Sequence, residues 1–600
     1  MKQKACGIIT FSLFILFQNI HAQDNIYLPD SLSLLKFGTH ICGTMILHGI
    51  PDLAEDHGES LNFKQNSLSQ MVQSADASVG DLREFYVFNY KDSDGGITQE
   101  YDEIDFELSY IDDVVEIWVE KDELKEGKIT QEIVDTIMDA LVNKTPEGSY
   151  DRDRGIININ KKLFGDPPNV NNSDRVKILL VDIQDGWDPD NGGGFIAGFF
   201  NPNDLNPALP TNNSNEADII YIDTYPGIYH EDQPADPLRS LNTVAHEYQH
   251  LIHANYGHLI TFQNEAQSEI AEVINGYNAR NMAYLNDKEE ISGNVTSGSG
   301  SGLYRWRRSD MHAVLLDYQR AGLLHGYLNE RVGAEATARI TKSKDSGKNA
   351  YISALSNAGI DWPEFLADFY VANLINNPEL YDNQFGYSNP KFSNVGATGY
   401  GRIYPTPEEN PGEKEVSITY GGAIYTKWQN TTNLRLNISD DGGIWYYAVT
   451  RPKDATSDRV EKLDKGSTTF SGSFDFITLV AVNIKEKNDN EENPGSRGYS
   501  YSTSNTGDNK PLVSKYKLVG NYPNPFNPTT TIQYNLPETA HVRIEIYDIK
   551  GRKIKTLLNK TQDEGSHYET FKARNLASGV YLYQLQAGDY VQIKKMMLVK

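Results

Sequence analysis

The sequence predicts an α+β multidomain chain: a mixed β-sheet with helices over its first part, followed by two all-β segments. Three observations carry that expectation. A length of 600 residues exceeds what one hydrophobic core serves. Strand-period and helix-period runs are mixed as far as about residue 375. Gly, Pro, Asn and Ser then dominate 378–412, after which only strand-like runs return. A hydrophobic fraction of 39% supports a folded chain, and 36 tyrosines suit β-rich extracellular domains with one wet sheet face.

From the N-terminus, Lys2 and Lys4 precede an apolar run from Ile8 to Phe17, with a cleavage site after Ala22. Residues 1–22 thus predict a signal peptide, too short in its apolar core to span a bilayer. Cys6 lies ahead of that core, so cleavage leaves only Cys42 of the two cysteines and no intramolecular disulfide. Residues 23–80 read as a leader or propeptide-like segment. Within 81–235, Phe85–Tyr90, Asp105–Ile111, Val114–Val119, Val176–Val181 and Asp218–Asp223 are the expected strands, with a helix from Ile129 to Val142. The part from 236 to 378 is helical. One helix opens at Asp236-Pro237 and stops at Gly257, and a second spans about Asn264–Asn275. A third covers Tyr304–Gly333 with a break at Gly322, and the last covers Asp361–Asn373. Residues 412–484 predict a β-sandwich accessory domain, 485–515 a linker, and 516–600 a final all-β domain.

Charge narrows the partners. The net charge is -27, and residues 516–600 carry 12 Lys/Arg against 7 Asp/Glu, a net of +5 that leaves -32 for the rest. Such a chain repels nucleic acid and anionic membranes, and no further run of 18 apolar residues exists to span one.

The chemistry concentrates in one run, His246-Glu247-Tyr248-Gln249-His250. At 3.6 residues per turn the two imidazoles share a helix face and both reach one metal ion, while Glu247 can take a proton from a water on it. That is the H-E-x-x-H arrangement of zinc metallohydrolases. A catalytic zinc takes three protein ligands, and Asn264-Glu265-Ala266-Gln267-Ser268-Glu269 supplies a third in Glu265, fifteen residues past His250. Glu269, one turn on, can accept the free N–H of a ligating histidine. His253 and His258 read as polar groups at the helix end. Asp182, Asp185, Asp188, Asp190 and Asn191 form an acidic loop, so Ca2+ is a second candidate ion, although the spacing is not that of an EF-hand.

These paired motifs resemble the gluzincins, the thermolysin-like group, and the stretches Asp174–Leu180, Gly198–Phe200 and Thr243–His253 are similar to hyicolysin-like secreted metalloproteases. The resemblance covers about 80–375 and implies a zincin catalytic unit. Carried over residue by residue, Zn2+ is held by His246, His250 and Glu265, Glu247 is the general base, and Glu269 buttresses a histidine. An oxyanion-stabilising residue is also implied. Tyr304, His312 and Tyr256 are the candidates, and Tyr304 is preferred because helical text follows it.

The final domain resembles the type A C-terminal sorting domain of type IX secretion, on Asn521–Pro528, Tyr547–Arg552, Ala577–Tyr581 and the basic pair Lys594-Lys595. The implied fold is Ig-like and all-β. The implied partner is the type IX machinery, and the implied destination is the exterior or surface of a Gram-negative cell. Together the readings describe a secreted zinc endopeptidase acting on proteins or peptides. The rival is a surface adhesin built on an inactive metalloprotease scaffold, against which the intact Glu247 argues.

Overall fold

A computed structural model of the protein describes residues 40–42, 77–93, 96–185, 187, 195–209, 212–230, 234–257, 259–278, 303–304, 306, 311–381, 384–389, 408, 412–485, 495–505, 516–563, 565–574 and 576–599. The expected signal peptide lies outside them. Contact density divides the chain into two units, Met1–His258 with Gln267–Asn278, and Leu259–Ala266 with Ala279–Lys600.

The first unit is built on a seven-stranded sheet. Its strands are β1 (His40–Cys42), β2 (Leu82–Ser93), β3 (Gly96–Ile111), β4 (Val115–Glu120), β5 (Val176–Val181), β6 (Phe195–Phe199) and β7 (Ile219–Asp223), ordered β1-β6-β7-β5-β4-β3-β2. β4, β5 and β7 run parallel, whereas β6 is antiparallel to β7 and β2 and β3 pair antiparallel. β5 reads Val-Lys-Ile-Leu-Leu-Val and is buried at every position, as a strand covered on both faces requires. Its helices are α1 (Lys121–Lys125), α2 (Gln131–Met138, prolonged by a π turn over Asp139–Asn143), α3 (Ile156–Phe164) and α4 (Leu241–Ala254). One sheet face gathers Phe85, Val87, Phe106, Leu108, Trp118, Leu179, Val181 and Tyr221 into a core. The alternate side chains Ile178, Leu180, Ile220 and Ile222 are also fully buried, and α4 packs on β6 and β7. The leader expected over 23–80 contributes β1 to this sheet. A further helix, α5 (Thr261–Ile274), is continuous across the boundary between the units.

In the second unit α6 (Met311–Val332), α7 (Ala334–Lys342), α8 (Gly347–Ser356) and α9 (Trp362–Ile375) precede the β-rich part. α6 runs through Gly322 without the expected break. A helical glycine costs only about 1 kcal/mol relative to alanine, and burial of Tyr318, Ala321, Leu324, Tyr327 and Leu328 around it outweighs that. The strands β8 (Glu413–Thr419), β9 (Ala423–Asp440), β10 (Ile444–Pro452), β11 (Arg459–Leu463), β12 (Gly466–Asn483) and β13 (Ser496–Asn505) form one antiparallel sheet, β11-β10-β12-β9-β13-β8. The β-sandwich expected over 412–484 falls on this sheet, in which Tyr446 of β10 and Tyr499 of β13 meet at 5.5 Å although the two strands are not neighbours in the order. β9 and β12 are each 18 residues long, with a bulge between Phe470 and Ser473 that bends the pair. β13 also falls inside the expected linker. Trp428 belongs to the core of this sheet, at 1% exposure, while Trp445 is partly exposed under the Lys462 ammonium.

The chain ends in β14 (Lys517–Tyr522), β15 (Thr529–Leu536), β16 (Ala540–Asp548), β17 (Lys553–Gln562), β18 (Gly565–Lys572), β19 (Gly579–Ala587) and β20 (Tyr590–Leu598). Two sheets, β14-β15-β18 and β17-β16-β19-β20, enclose a shared core that includes Ile532, Tyr534, Val542, Ile544, Tyr583 and Leu585. Among the described residues no helix is long and apolar enough to cross a membrane.

Candidate metal centre

α4 is buried along nearly its whole length, every residue from Thr243 to His253 included. Asp236 does not cap it directly. Its carboxylate accepts from Leu238 N–H at 3.1 Å and closes a short 3-10 turn, Pro237–Arg239, ahead of the helix. At the other end Gly257 takes a positive φ of 56° and donates to the His253 carbonyl at 2.8 Å. The one-turn spacing sets the His246 and His250 rings 4.9 Å apart, centroid to centroid, at 72°.

α5 carries Glu265, Ser268, Glu269 and Glu272 at helical offsets of 0, 3, 4 and 7, hence on one face. A nitrogen of each histidine and a carboxylate oxygen of Glu265 lie within 4.8 Å of one another. The rings are oriented from behind. His246 Nδ1 stands 2.9 Å from Glu272 Oε1 and 3.7 Å from Glu269 Oε1. Glu272, which the sequence reading did not single out, is thus the nearer carboxylate to His246. Ser268 donates its hydroxyl to Gln249 Oε1, so its oxygen is left to accept from His250 Nδ1 at 3.2 Å. Both rings therefore favour the tautomer with the proton on Nδ1 and the lone pair on Nε2.

The donor set fits a divalent cation. Glu247, Glu265 and Glu272 have no solvent exposure and Glu269 has 4%. Burying that many carboxylates is costly unless opposite charge is brought to them, and a divalent cation brings it. A zinc ion accepts this combination of nitrogen and oxygen donors.

Asn160 on α3 ties the surroundings together. Its amide donates to the Ala245 carbonyl at 3.0 Å, and its carbonyl oxygen accepts from Asn275 Nδ2 at 2.6 Å. α4 is thereby pinned beside the residue that precedes His246. Among other sequence candidates, Tyr304 is packed with Phe262, Tyr351 and Tyr420, at ring distances of 5.9, 6.3 and 6.3 Å. The Tyr256 hydroxyl accepts from Asp166 N–H at 3.3 Å. His258 and the His312 side chain lie outside the described residues.

Of the acidic loop, Asp188, Asp190 and Asn191 also lie outside. Asp185 spends its carboxylate on the backbone, accepting from Trp187 N–H at 2.8 Å and Ile196 N–H at 2.6 Å, as a turn residue does. Asp182 follows the end of β5, next to Glu120 at the end of β4. Burial is the largest cause that pushes the Asp182 carboxyl up to about 6 and that of Glu120 up to about 7.

Comparison with known proteins separates two regions. Residues 521–600 match the secretion system C-terminal sorting domain family, and the chain carries a type IX sorting domain there. That domain implies contact with the secretion machinery and a destination outside the cell or on its surface. Over 279 residues the chain is 27% identical to the neutral metalloprotease ShpI of Staphylococcus hyicus, covering 45% of this chain and 55% of that protein. The match thus spans about half the length of the curated relative. Among solved structures, a β-1,2-glucanase from Parabacteroides distasonis aligns at 9% identity over 31% of this chain and 32% of its own, with a TM-score of 0.12. PorZ, a surface component of the type IX secretion system of Porphyromonas gingivalis, aligns at 15% identity over 26% and 23%, with a TM-score of 0.11. TM-scores this low carry no argument about fold or function.

Proposed function

We propose that the protein is a zinc-dependent endopeptidase, led by a signal peptide and exported through the type IX route. The observation that carries the reading is the buried set His246, His250 and Glu265, whose donor atoms lie within 4.8 Å of one another. Glu272 and Ser268, behind the two Nδ1 atoms, support the role of Nε2 as the ligating nitrogen. When bound there, zinc supplies a Lewis acid that polarises a peptide carbonyl and acidifies water.

The remaining work belongs to the chain. Glu247, next to His246 and fully buried, accepts the proton of the attacking water. It then returns that proton to the departing amine, so acid and base are one group. Glu265 closes the ligand set with a negative charge, and Glu269 and Glu272 hold His246 in position. The partners on this reading are protein or peptide substrates. Similarity to a neutral metalloprotease over 279 residues supports a peptide over another amide or an ester.

Glu247→Gln tests the assignment. Zinc content should stay at one per chain while hydrolysis of casein falls by about 10²–10⁴-fold, the usual worth of a general base. Retained hydrolysis would remove Glu247 from the chemistry, and a binding protein would keep its function in this variant.

A further inference from the structure

Glu265, the third candidate donor, sits near the start of α5, with Gln263 two residues before it and Ala266 one after. Two positions turn a helix by about 200°, so Gln263 leaves α5 on the side opposite Glu265. That side is anchored. The Gln263 amide donates to the Gly347 carbonyl and its Oε1 accepts from Gly347 N–H, both at 2.7 Å. The second bond satisfies the first N–H of α8, which has no acceptor within its own helix. Burial pushes the His325 imidazole down to about 3, so the ring is neutral. Its Nε2 stands 3.0 Å from the Tyr351 hydroxyl, and the ring also hydrogen-bonds the Ala266 carbonyl. The Tyr351 hydroxyl in turn is bonded by the Gln263 side chain.

These bonds close into a circuit. The Tyr351 hydroxyl donates to His325 and accepts one N–H of the Gln263 amide, whose other N–H goes to Gly347, and the imidazole N–H goes to Ala266. Gln263, Ala266, His325 and Tyr351 have no solvent exposure, and Trp362 stacks on the Tyr351 ring at 4.9 Å. A buried polar network whose members are all satisfied is rigid and specifies one arrangement. Every member, and Glu265 itself, belongs to the second unit. A two-bond clamp two residues before Glu265 and an added bond to the carbonyl one residue after it fix the rotation of α5 at that point. We propose that Gln263, His325 and Tyr351 are positioning residues, which set the rotation at which α5 presents the Glu265 carboxylate to the metal. They act through Glu265 and not on the ion or the substrate. The inference rests on the reading of Glu265 as a metal ligand.

The test uses the full-length chain with zinc, competed by a chromogenic chelator, and with Co2+, which absorbs visible light far more strongly with four ligands than with six. Gln263→Leu should weaken zinc binding about tenfold, as loss of a group that orients a ligand does. It should also lower the Co2+ band toward that of Glu265→Gln. Adding Gln263→Leu to Glu265→Gln should change zinc affinity by less than about twofold, because no carboxylate is left to position. Tyr351→Phe, which deletes one hydroxyl, should show the same pattern and stands in if Gln263→Leu does not fold. Unchanged affinity and band in the folded variant overturn the proposal. So does an equal loss with and without the Glu265 carboxylate, which is what a merely structural role would give. If Glu265→Gln itself keeps the parent's affinity and band, the ligand reading fails and the proposal with it. A loss in Glu265→Gln with none in the network variants sinks only the positioning role.

Discussion

Glu272 shows why part of the centre was legible and part was not. His246, Glu247 and His250 lie within one and a half turns of a single helix, so spacing alone puts the histidines on one face. Which acid stands behind His246 depends on how α4 meets α5, and no spacing within either helix contains that. The motif resemblance points to Glu269, yet Glu272 at offset 7 from Glu265 shares its face and lies 0.8 Å closer to Nδ1, at 2.9 against 3.7 Å. Ser268 and Asn160 were invisible for the same reason. Glu272→Gln should weaken zinc binding by about 10–100-fold, and Glu269→Gln should weaken it less. Competition against a chromogenic chelator measures both, and the reverse ranking would restore Glu269 as the partner of His246.

Among the elements, apolar runs read well and polar ones did not. The all-buried β5 is unmistakable. β13 hides in Ser-Arg-Gly-Tyr-Ser-Tyr-Ser-Thr-Ser-Asn, where only Tyr499 and Tyr501, each 3% exposed, signal a buried face and the serines imitate a linker. β1 is three residues long, below what periodicity resolves.

Two predictions belong to these elements. At Gly198 a Cβ would meet Tyr221 O at 2.6 Å and Thr243 Cγ2 at 2.8 Å. Gly198→Ala should destabilise the first unit by about 1–3 kcal/mol, as overpacking does, measured by urea denaturation. An unchanged midpoint would mean that β6 and α4 are not in close contact. The second concerns Asp182, raised from 3.8 to about 6 in the folded state chiefly by burial, with the Glu123 charge adding to it. The fold therefore holds this proton more tightly than the unfolded chain does. Its contribution is favourable below pH 4 and is lost as pH rises from about 4 to 6. Asp182→Asn should consequently gain in melting temperature relative to the parent across that interval, and a constant difference would contradict the assigned burial.

In the whole molecule, charge is unevenly divided. The terminal domain is basic, at +5, against -32 for the remainder. It builds its own two-sheet core, and its contact with the accessory sheet centres on Glu461, which accepts from Tyr568 and Gln533. Deleting 521–600 should leave the protein inside the producing cell, as fractionation and immunoblotting would show, whereas undiminished export would mean that the sorting domain is dispensable.

The central claim is that His246, His250 and Glu265 converge on one ion. Anomalous diffraction collected on either side of the zinc edge, from crystals of the purified protein, tests it most directly. The account predicts a single strong zinc peak bonded to Nε2 of both histidines and to the Glu265 carboxylate. A peak coordinated elsewhere, or a centre bound through Nδ1 of His246 with Glu269 and Glu272, would contradict it.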